Sequence, residues 1–414
     1  MHNDTIDHQE QIRSVYAKNL GSRLAAMSRM LGGHVERESH GALLVTEDGK
    51  EFVNCAGYGV FLLGATHPDV VAAVVEQVRR HPVSARLFID TVSPRAAEAL
   101  VDIAPDGLEK VYFAGSGAEA VETALKLARV NGYRRIVTTV GGYHGRTLGA
   151  LSVSARPVYQ EPFRPLMPDV AEVPFGDAEA LDRALAGAPP SCFIVEPVQG
   201  EGGVVIPDPG YLAAVSRICA ERDCFLIVDE ILTGMGRVGR MWGISGQDVA
   251  PDVMLVGKTL SGGVIPIAAV LATNEAYAPF EKDPLLHQST FGGSPVATAA
   301  ALATIDVIRK DDIVGAADRI GRRLLASFRE AAASAPAGVV EEVRGAGLLL
   351  GIEFSDGGYA GEMVLALIEH GVMANHSNNN PTVIRLTPPA VIEESEIRTI
   401  ERAVRRGFDS LGSY

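Results

Sequence analysis

The chain has 414 residues, 47% of them hydrophobic and 21% charged, which is enough for a large buried core and about two or three domains of ordinary size. Its formal net charge of −14 argues against a nucleic-acid-binding surface, which needs basic charge. No uncharged apolar run approaches the roughly 20 residues of a membrane span, so no membrane partner is expected.

The first residues, Met1 to Thr5, are polar and acidic and lack the basic start and apolar centre of a secretory leader. Four cysteines, Cys55, Cys192, Cys219 and Cys224, form no CxxC pair and sit mostly in apolar stretches. They read as free buried thiols in a reducing cytoplasm, and their spacing offers no zinc ligand set.

Residues 1 to about 30 read as an amphipathic arm whose apolar members are Val15, Leu20, Leu24, Met27 and Met30. Ala42–Val45 and Phe52–Asn54 flank Asp48-Gly49, a strong hairpin signal. From about residue 66 to 275, helices such as 118–130 and 211–221 alternate with short apolar strands. Those strands are expected at 111–113, 135–139, 193–195, 225–228, 253–256 and 268–272. The alternation predicts an α/β fold with a mostly parallel sheet covered on both faces. Its ligands would gather beyond the carboxyl ends of the strands.

Ser294-Pro295 opens a long helix, with an expected cap at Ser294. Beyond it the pattern changes to strands at 339–343, 348–354, 372–374 and 383–386, with a helix near 362–370 and a last one over 393–408. The division expected is an N-terminal arm with small-domain strands over 1–65, a large domain over 66–310 and an α+β domain over 311–414.

Three strand ends carry chemistry. Gly115-Ser116-Gly117-Ala118 follows one strand and opens a helix, whose unpaired N–H groups and positive dipole suit a phosphate; a simple turn and cap would use the same residues. Asp229 ends a second strand, where a lone carboxylate needs a positive partner such as a protonated pyridine nitrogen. Lys258 follows a third. Burial would lower its pKa and free the amine for a Schiff base and then for proton transfer. Tyr143, in a Gly-rich turn, and Ile231, two residues past Asp229, could press on the two faces of a flat ring, although either residue alone is ordinary core packing. Amine, carboxylate and anion cradle together are the parts that hold and use pyridoxal 5′-phosphate.

With these residues placed, the chain resembles the class III pyridoxal-phosphate aminotransferases from about Leu43 to Phe408. The motifs are Gly115-Ser116-Gly117-Ala118-Glu119-Ala120, Tyr143-His144-Gly145, Glu196-Pro197-Val198-Gln199-Gly200-Glu201-Gly202, Asp229-Glu230-Ile231, Gly257-Lys258-Thr259-Leu260-Ser261-Gly262-Gly263 and Ser289-Thr290-Phe291-Gly292-Gly293. Within the family it looks closest to putrescine (diamine) aminotransferases, through Thr233–Arg237, Gly263–Ile267 and Leu286–Phe291. Ornithine and acetylornithine enzymes are its next neighbours.

The resemblance implies the type I fold of such enzymes, with a seven-stranded sheet in the large domain and a smaller domain built from both chain ends. It implies a cytoplasmic homodimer in which Thr290 reaches the phosphate of the neighbouring subunit's cofactor, and it adds His144 and Glu196 to the cofactor-binding set. It also implies that Arg385 clamps the carboxylate of an amino-acid partner and that Glu201 pairs with Arg385 when an amine lacking that carboxylate binds. Tyr58, Val60 and Phe61 stand where relatives line the substrate pocket, which suits an apolar, elongated substrate.

Two departures stand out: Leu232 occupies the usual place of a glutamine that hydrogen-bonds the cofactor's phenolic oxygen, and Gly115 and Ser294 each stand where an asparagine is common. The N-terminal arm is also shorter than in typical putrescine enzymes. The expected activity is ω-amine transamination with 2-oxoglutarate or pyruvate, in either direction. Alternatives are an ornithine-type aminotransferase, a mutase, racemase or decarboxylase of the same fold, and a non-catalytic cofactor-binding module.

Overall fold

The computed structural model describes residues 2–411. A seven-stranded sheet forms its centre, in the spatial order Lys110–Ala114, Ala268–Ala272, Val253–Val256, Phe225–Asp229, Ser191–Val195, Arg135–Thr139 and Val170–Val173. All neighbours pair in parallel except Ala268–Ala272, which runs antiparallel to the strands on both its sides. The six strands expected from the sequence are present. The seventh, Val170–Val173, is a four-residue edge strand with Glu172 in it and only Val173 buried, so its apolar signal is too short to read.

Side-chain alternation along these strands divides the core in two. Ile136, Ile194, Ile227, Leu255 and Val270 face one apolar cluster, while Val137, Phe193, Val228, Met254 and Leu271 face the other. Helix Gly117–Val130 covers the first face through Ala120, Val121, Ala124, Leu125 and Leu127. Each large aliphatic side chain buried this way contributes roughly 1.5–3 kcal/mol, so the sheet is a rigid base for whatever projects from its ends.

Two further sheets have four strands each. Glu36–His40, Leu43–Thr46 and Glu51–Asn54 form an antiparallel ribbon, with the turn at Asp48-Gly49 as expected. Val372–Met373 joins that ribbon in parallel, so the segment expected as a strand of the C-terminal unit pairs with the N-terminal one. The other sheet orders Val340–Ala346, Leu349–Phe354, Val383–Leu386 and Asn375–His376. Helices Gly357–Glu369 and Glu394–Ser410 accompany it in sequence. Ser294 stands at its helix N-cap with Pro295 at the first position, but its hydroxyl makes no capping bond.

The N-terminal arm is two helices, His2–Asn19 and Ser22–Met30. Val15, Leu20, Leu24, Met27 and Met30 all point into solvent in the single chain. Among the described residues no helix is long and apolar enough to cross a membrane.

Candidate active site

Lys258 follows strand Val253–Val256 and begins a single 3-10 turn over Lys258–Ser261. Its φ of 41° lies in the left-handed region, which costs a non-glycine residue roughly 1–2 kcal/mol. Ser261 Oγ donates to the Lys258 carbonyl at 2.7 Å and accepts the Gly263 N–H at 3.0 Å, which fixes the turn. Burial pulls the Lys258 amine below its ordinary pKa. The charge of Arg385 adds to that pull, while Glu201, Asp229 and Glu196 oppose it.

Asp229 is the last residue of strand Phe225–Asp229 and is only 4% exposed. Its Oδ1 accepts the Ile231 N–H at 3.0 Å, and its Oδ2 lies 2.7 Å from Nδ1 of buried His144. Burial by itself would lower the pKa of His144. The hydrogen bond and charge of Asp229, with the charge of Glu196, outweigh it and hold the imidazole above its ordinary value. With Nδ1 committed to Asp229, the opposite nitrogen Nε2 is buried without a partner. Glu196, at the end of strand Ser191–Val195, accepts the Tyr143 N–H at 3.0 Å; burial pushes its carboxyl up to about 7.

Ser116 caps helix Gly117–Val130, accepting the Glu119 N–H at 3.2 Å, while Glu119 accepts the Gly115 N–H at 2.7 Å. The Ser116 hydroxyl proton stays available, as do the unpaired N–H groups of the first turn. Ile231 lies against both Gly117 and Gly257: a Cβ on Gly117 would meet it at 3.1 Å and one on Gly257 at 3.2 Å. The two glycines let this side chain sit between the anion cradle and the lysine turn. Ala118 packs against Gly145, which brings the Tyr143–Gly145 turn to the same helix end.

Glu201 and Arg385 are brought together. Arg385 Nη1 lies 2.7 Å from Glu201 Oε1, with both side chains almost fully buried. The contact is an ion pair without hydrogen-bond alignment, so both terminal guanidinium nitrogens keep unpartnered donors. Glu201 Oε2 is held by the Asn378 N–H at 2.8 Å. Leu232 is buried among Val198, Val204 and Leu349, and a Cβ on either Gly59 or Gly200 would collide with it. Gly59 also lies over the Lys258 stem, so the turn bearing Tyr58 (φ 52°, 55% exposed) borders the lysine.

Thr290 stands apart from this group. It is exposed in a different hollow, with Arg86, Tyr112 and Ser289, and its carbonyl accepts from Arg86 Nη2 at 3.2 Å. Arg237 was not singled out as a site residue from the sequence. It is fully buried and donates to the carbonyls of Pro388 (2.7 Å), Leu348 (3.2 Å) and Gly59 (3.3 Å). Asn379 was missed as well: it bonds Gly141 and Gly142 and ties the loop beside Glu201 to the Tyr143 turn. Arg237 closes the Thr233–Arg237 motif, but nothing in the sequence showed its role or that of Asn379, because each acts on backbone atoms far away in the chain.

The sequence model of the family "Aminotransferase class-III" matches residues 26–406, and the chain belongs to that family. Solved structures of similar form include the ornithine aminotransferase of Toxoplasma gondii (32% identity, TM-score 0.86, covering 92% of this chain and 90% of that one). An omega transaminase from Pseudomonas jessenii, a 6-fold mutant, is 25% identical (TM-score 0.85, 93% and 95%). The acetylornithine aminotransferase of Elizabethkingia anophelis is 29% identical (TM-score 0.78, 92% and 94%). The protein is a pyridoxal-phosphate-dependent aminotransferase with the type I fold. Its residues fit that cofactor: a helix N-terminus for the phosphate, a buried carboxylate for the ring nitrogen, and a slot kept open by Gly117 and Gly257.

Proposed function

We propose that the protein is an ω-aminotransferase that moves nitrogen between a primary amine or diamine and a keto acid, 2-oxoglutarate or pyruvate. The amine leaves as an aldehyde and the keto acid as the matching amino acid, so one amino group and one carbonyl oxygen change places. The observation that carries this reading is the buried Arg385–Glu201 pair beside Lys258, with guanidinium donors left free. A closed pair suits an amine; an opened one offers Arg385 to a carboxylate in a bidentate fork.

Pyridoxal phosphate supplies an electron sink for the carbon that bears the nitrogen. Lys258, its amine held below the ordinary pKa by burial, is the residue that would carry the cofactor and take and return the proton at that carbon. Asp229, oriented by His144, would hold the ring nitrogen's proton; Glu196 fixes the Tyr143 turn. Tyr143 and Ile231 would flank the ring, and Ser116, Gly117 and Ala118 would receive the phosphate. Tyr58 lies at the mouth where the substrate enters.

The working form in this reading is a homodimer, with Thr290 completing the neighbour's phosphate site. Leu87, Phe88 and Ile89, each at least 86% exposed in the single chain, and Phe291 beside Thr290 make an apolar strip suited to such an interface. Residues 66–310 would form the large domain, with 1–65 and 311–414 around it. Four unpaired buried thiols are consistent with a reducing cytoplasm.

Incubation with an ω-amine and each keto acid should yield aldehyde and amino acid; no amino-acid product across a broad amine panel would overturn the reading. An ornithine-type activity is the second reading, favoured by the free Arg385 donors and the 32% identity to an ornithine aminotransferase. A decarboxylase or mutase would turn over without a keto acid.

A further inference from the structure

The Glu201 carboxylate is kept in place by a loop as well as by the charge of Arg385. Its 2.7 Å contact with Arg385 Nη1 lacks hydrogen-bond alignment, whereas its Oε2 accepts the Asn378 N–H at 2.8 Å. The next N–H, that of Asn379, donates to the Glu201 carbonyl at 2.9 Å. Two successive N–H groups of the loop over residues 377–380 therefore hold both the side chain and the backbone of Glu201.

The carbonyls of the same two loop residues are held from another part of the chain. Tyr159 Oη donates to the Asn378 carbonyl at 2.8 Å, and Arg156 Nη1 donates to the Asn379 carbonyl. Tyr159 stands on the short helix Pro157–Gln160, and Arg156 is that helix's N-cap. Gln160 Nε2 ties the helix to the carbonyls of Leu151 and Ser154, each at 3.1 Å. Arg146 Cζ lies 3.7 Å from the centre of the Tyr159 ring, a cation–π contact that orients the phenol. The Asn378 carbonyl and the Asn379 N–H belong to one planar peptide unit, so a donor on one end steadies the bond made by the other. For a carboxylate to take Arg385 in a bidentate fork, Glu201 must leave. Leaving costs the Asn378 bond or a shift of the whole loop, and the Tyr159 hydroxyl resists that shift.

We propose that Tyr159 is a positioning residue that keeps Glu201 closed on Arg385 and so sets how readily the site accepts a carboxylate partner. It acts on Glu201 through the loop. This rests on the reading of Arg385 and Glu201 as the site's carboxylate switch and adds the residue that governs its opening.

The test is calorimetric binding of glutarate, a dicarboxylate with no carbonyl to react, to cofactor-loaded enzyme. Tyr159→Phe removes one oxygen and keeps the ring beneath Arg146. It should tighten glutarate binding by about three- to tenfold, the range that one hydrogen bond spans. A tyrosine with a merely structural role would not do this, since its loss would weaken binding or leave it alone. Glu201→Gln is the control: it leaves Arg385 without an opposing charge and should tighten glutarate at least as much. If Glu201→Gln tightens glutarate while Tyr159→Phe weakens it or leaves it unchanged, the proposal is overturned and the switch reading stands. If Glu201→Gln does not tighten glutarate, the switch reading falls and the proposal falls with it.

Discussion

His144 Nδ1 lies 2.7 Å from Asp229 Oδ2, and neither side chain has appreciable contact with solvent. The pair joins two strand ends of the large sheet, since His144 belongs to the turn after Arg135–Thr139 and Asp229 ends Phe225–Asp229. A buried carboxylate that keeps one hydrogen-bonded imidazole and one backbone N–H is held in a single orientation. His144→Phe should therefore weaken cofactor binding by about tenfold, the cost of losing one charge-assisted hydrogen bond. Absorbance titration of the apoenzyme with pyridoxal phosphate measures it. Unchanged affinity would mean that Asp229 needs no help from His144.

In the proposed reading Lys258 is both the covalent anchor and the proton carrier, so Lys258→Ala should lower turnover by on the order of 10³-fold or more. Borohydride treatment followed by peptide mass mapping should find the cofactor on Lys258 in the unmodified enzyme. Trapping on any other lysine would reassign the centre.

Arg385→Gln should raise the KM for 2-oxoglutarate by roughly a hundredfold while changing the amine half-reaction much less. It should also destabilise the fold by roughly 3 kcal/mol, since Glu201 would stay buried with only the Asn378 N–H opposite it. Stopped-flow half-reactions and denaturant unfolding separate the two effects. Equal loss in both half-reactions would argue that Arg385 is structural.

Arg237 holds Gly59, Leu348 and Pro388 from one guanidinium, although burial, then the charge of Arg385, pulls its pKa down to about 9. Lysine offers one ammonium in place of a planar fork and cannot span three carbonyls in this geometry. Arg237→Lys should lower the thermal midpoint and raise the KM for amines through the loosened Tyr58 turn, with less effect on keto-acid KM. A variant with unchanged stability and KM would show that the clamp is dispensable.

The apoenzyme should lose stability as pH rises from about 5 to above 7. Glu196 has its folded carboxyl pushed up to about 7, above the ordinary value of 4.5, so between those values the folded state binds more protons than the unfolded one. Its stabilising contribution is complete below the unfolded pKa and is lost as pH rises through the folded one. Glu230, raised to about 7 by burial against its three hydrogen-bond donors, acts in the same direction. Glu196→Gln should flatten part of the slope in thermal unfolding measured from pH 5 to 8. An unchanged slope would assign it elsewhere.

The sequence by itself determined the strands of the central sheet, except Val170–Val173, because continuous apolar runs between helices leave few alternatives. It also singled out Lys258, Asp229 and the Ser116 cradle as candidates, because strand ends followed by glycine or by a helix mark where chemistry can project. The tertiary structure decided the rest. Only folding brings Glu201 against Arg385, ties His144 to Asp229, moves Val372–Met373 onto the N-terminal ribbon, and places Arg237 among three carbonyls. It also leaves Thr290 outside the site of its own chain. These are contacts between residues tens to hundreds of positions apart, made to backbone atoms or to single side chains, and neither periodicity nor spacing records such pairings.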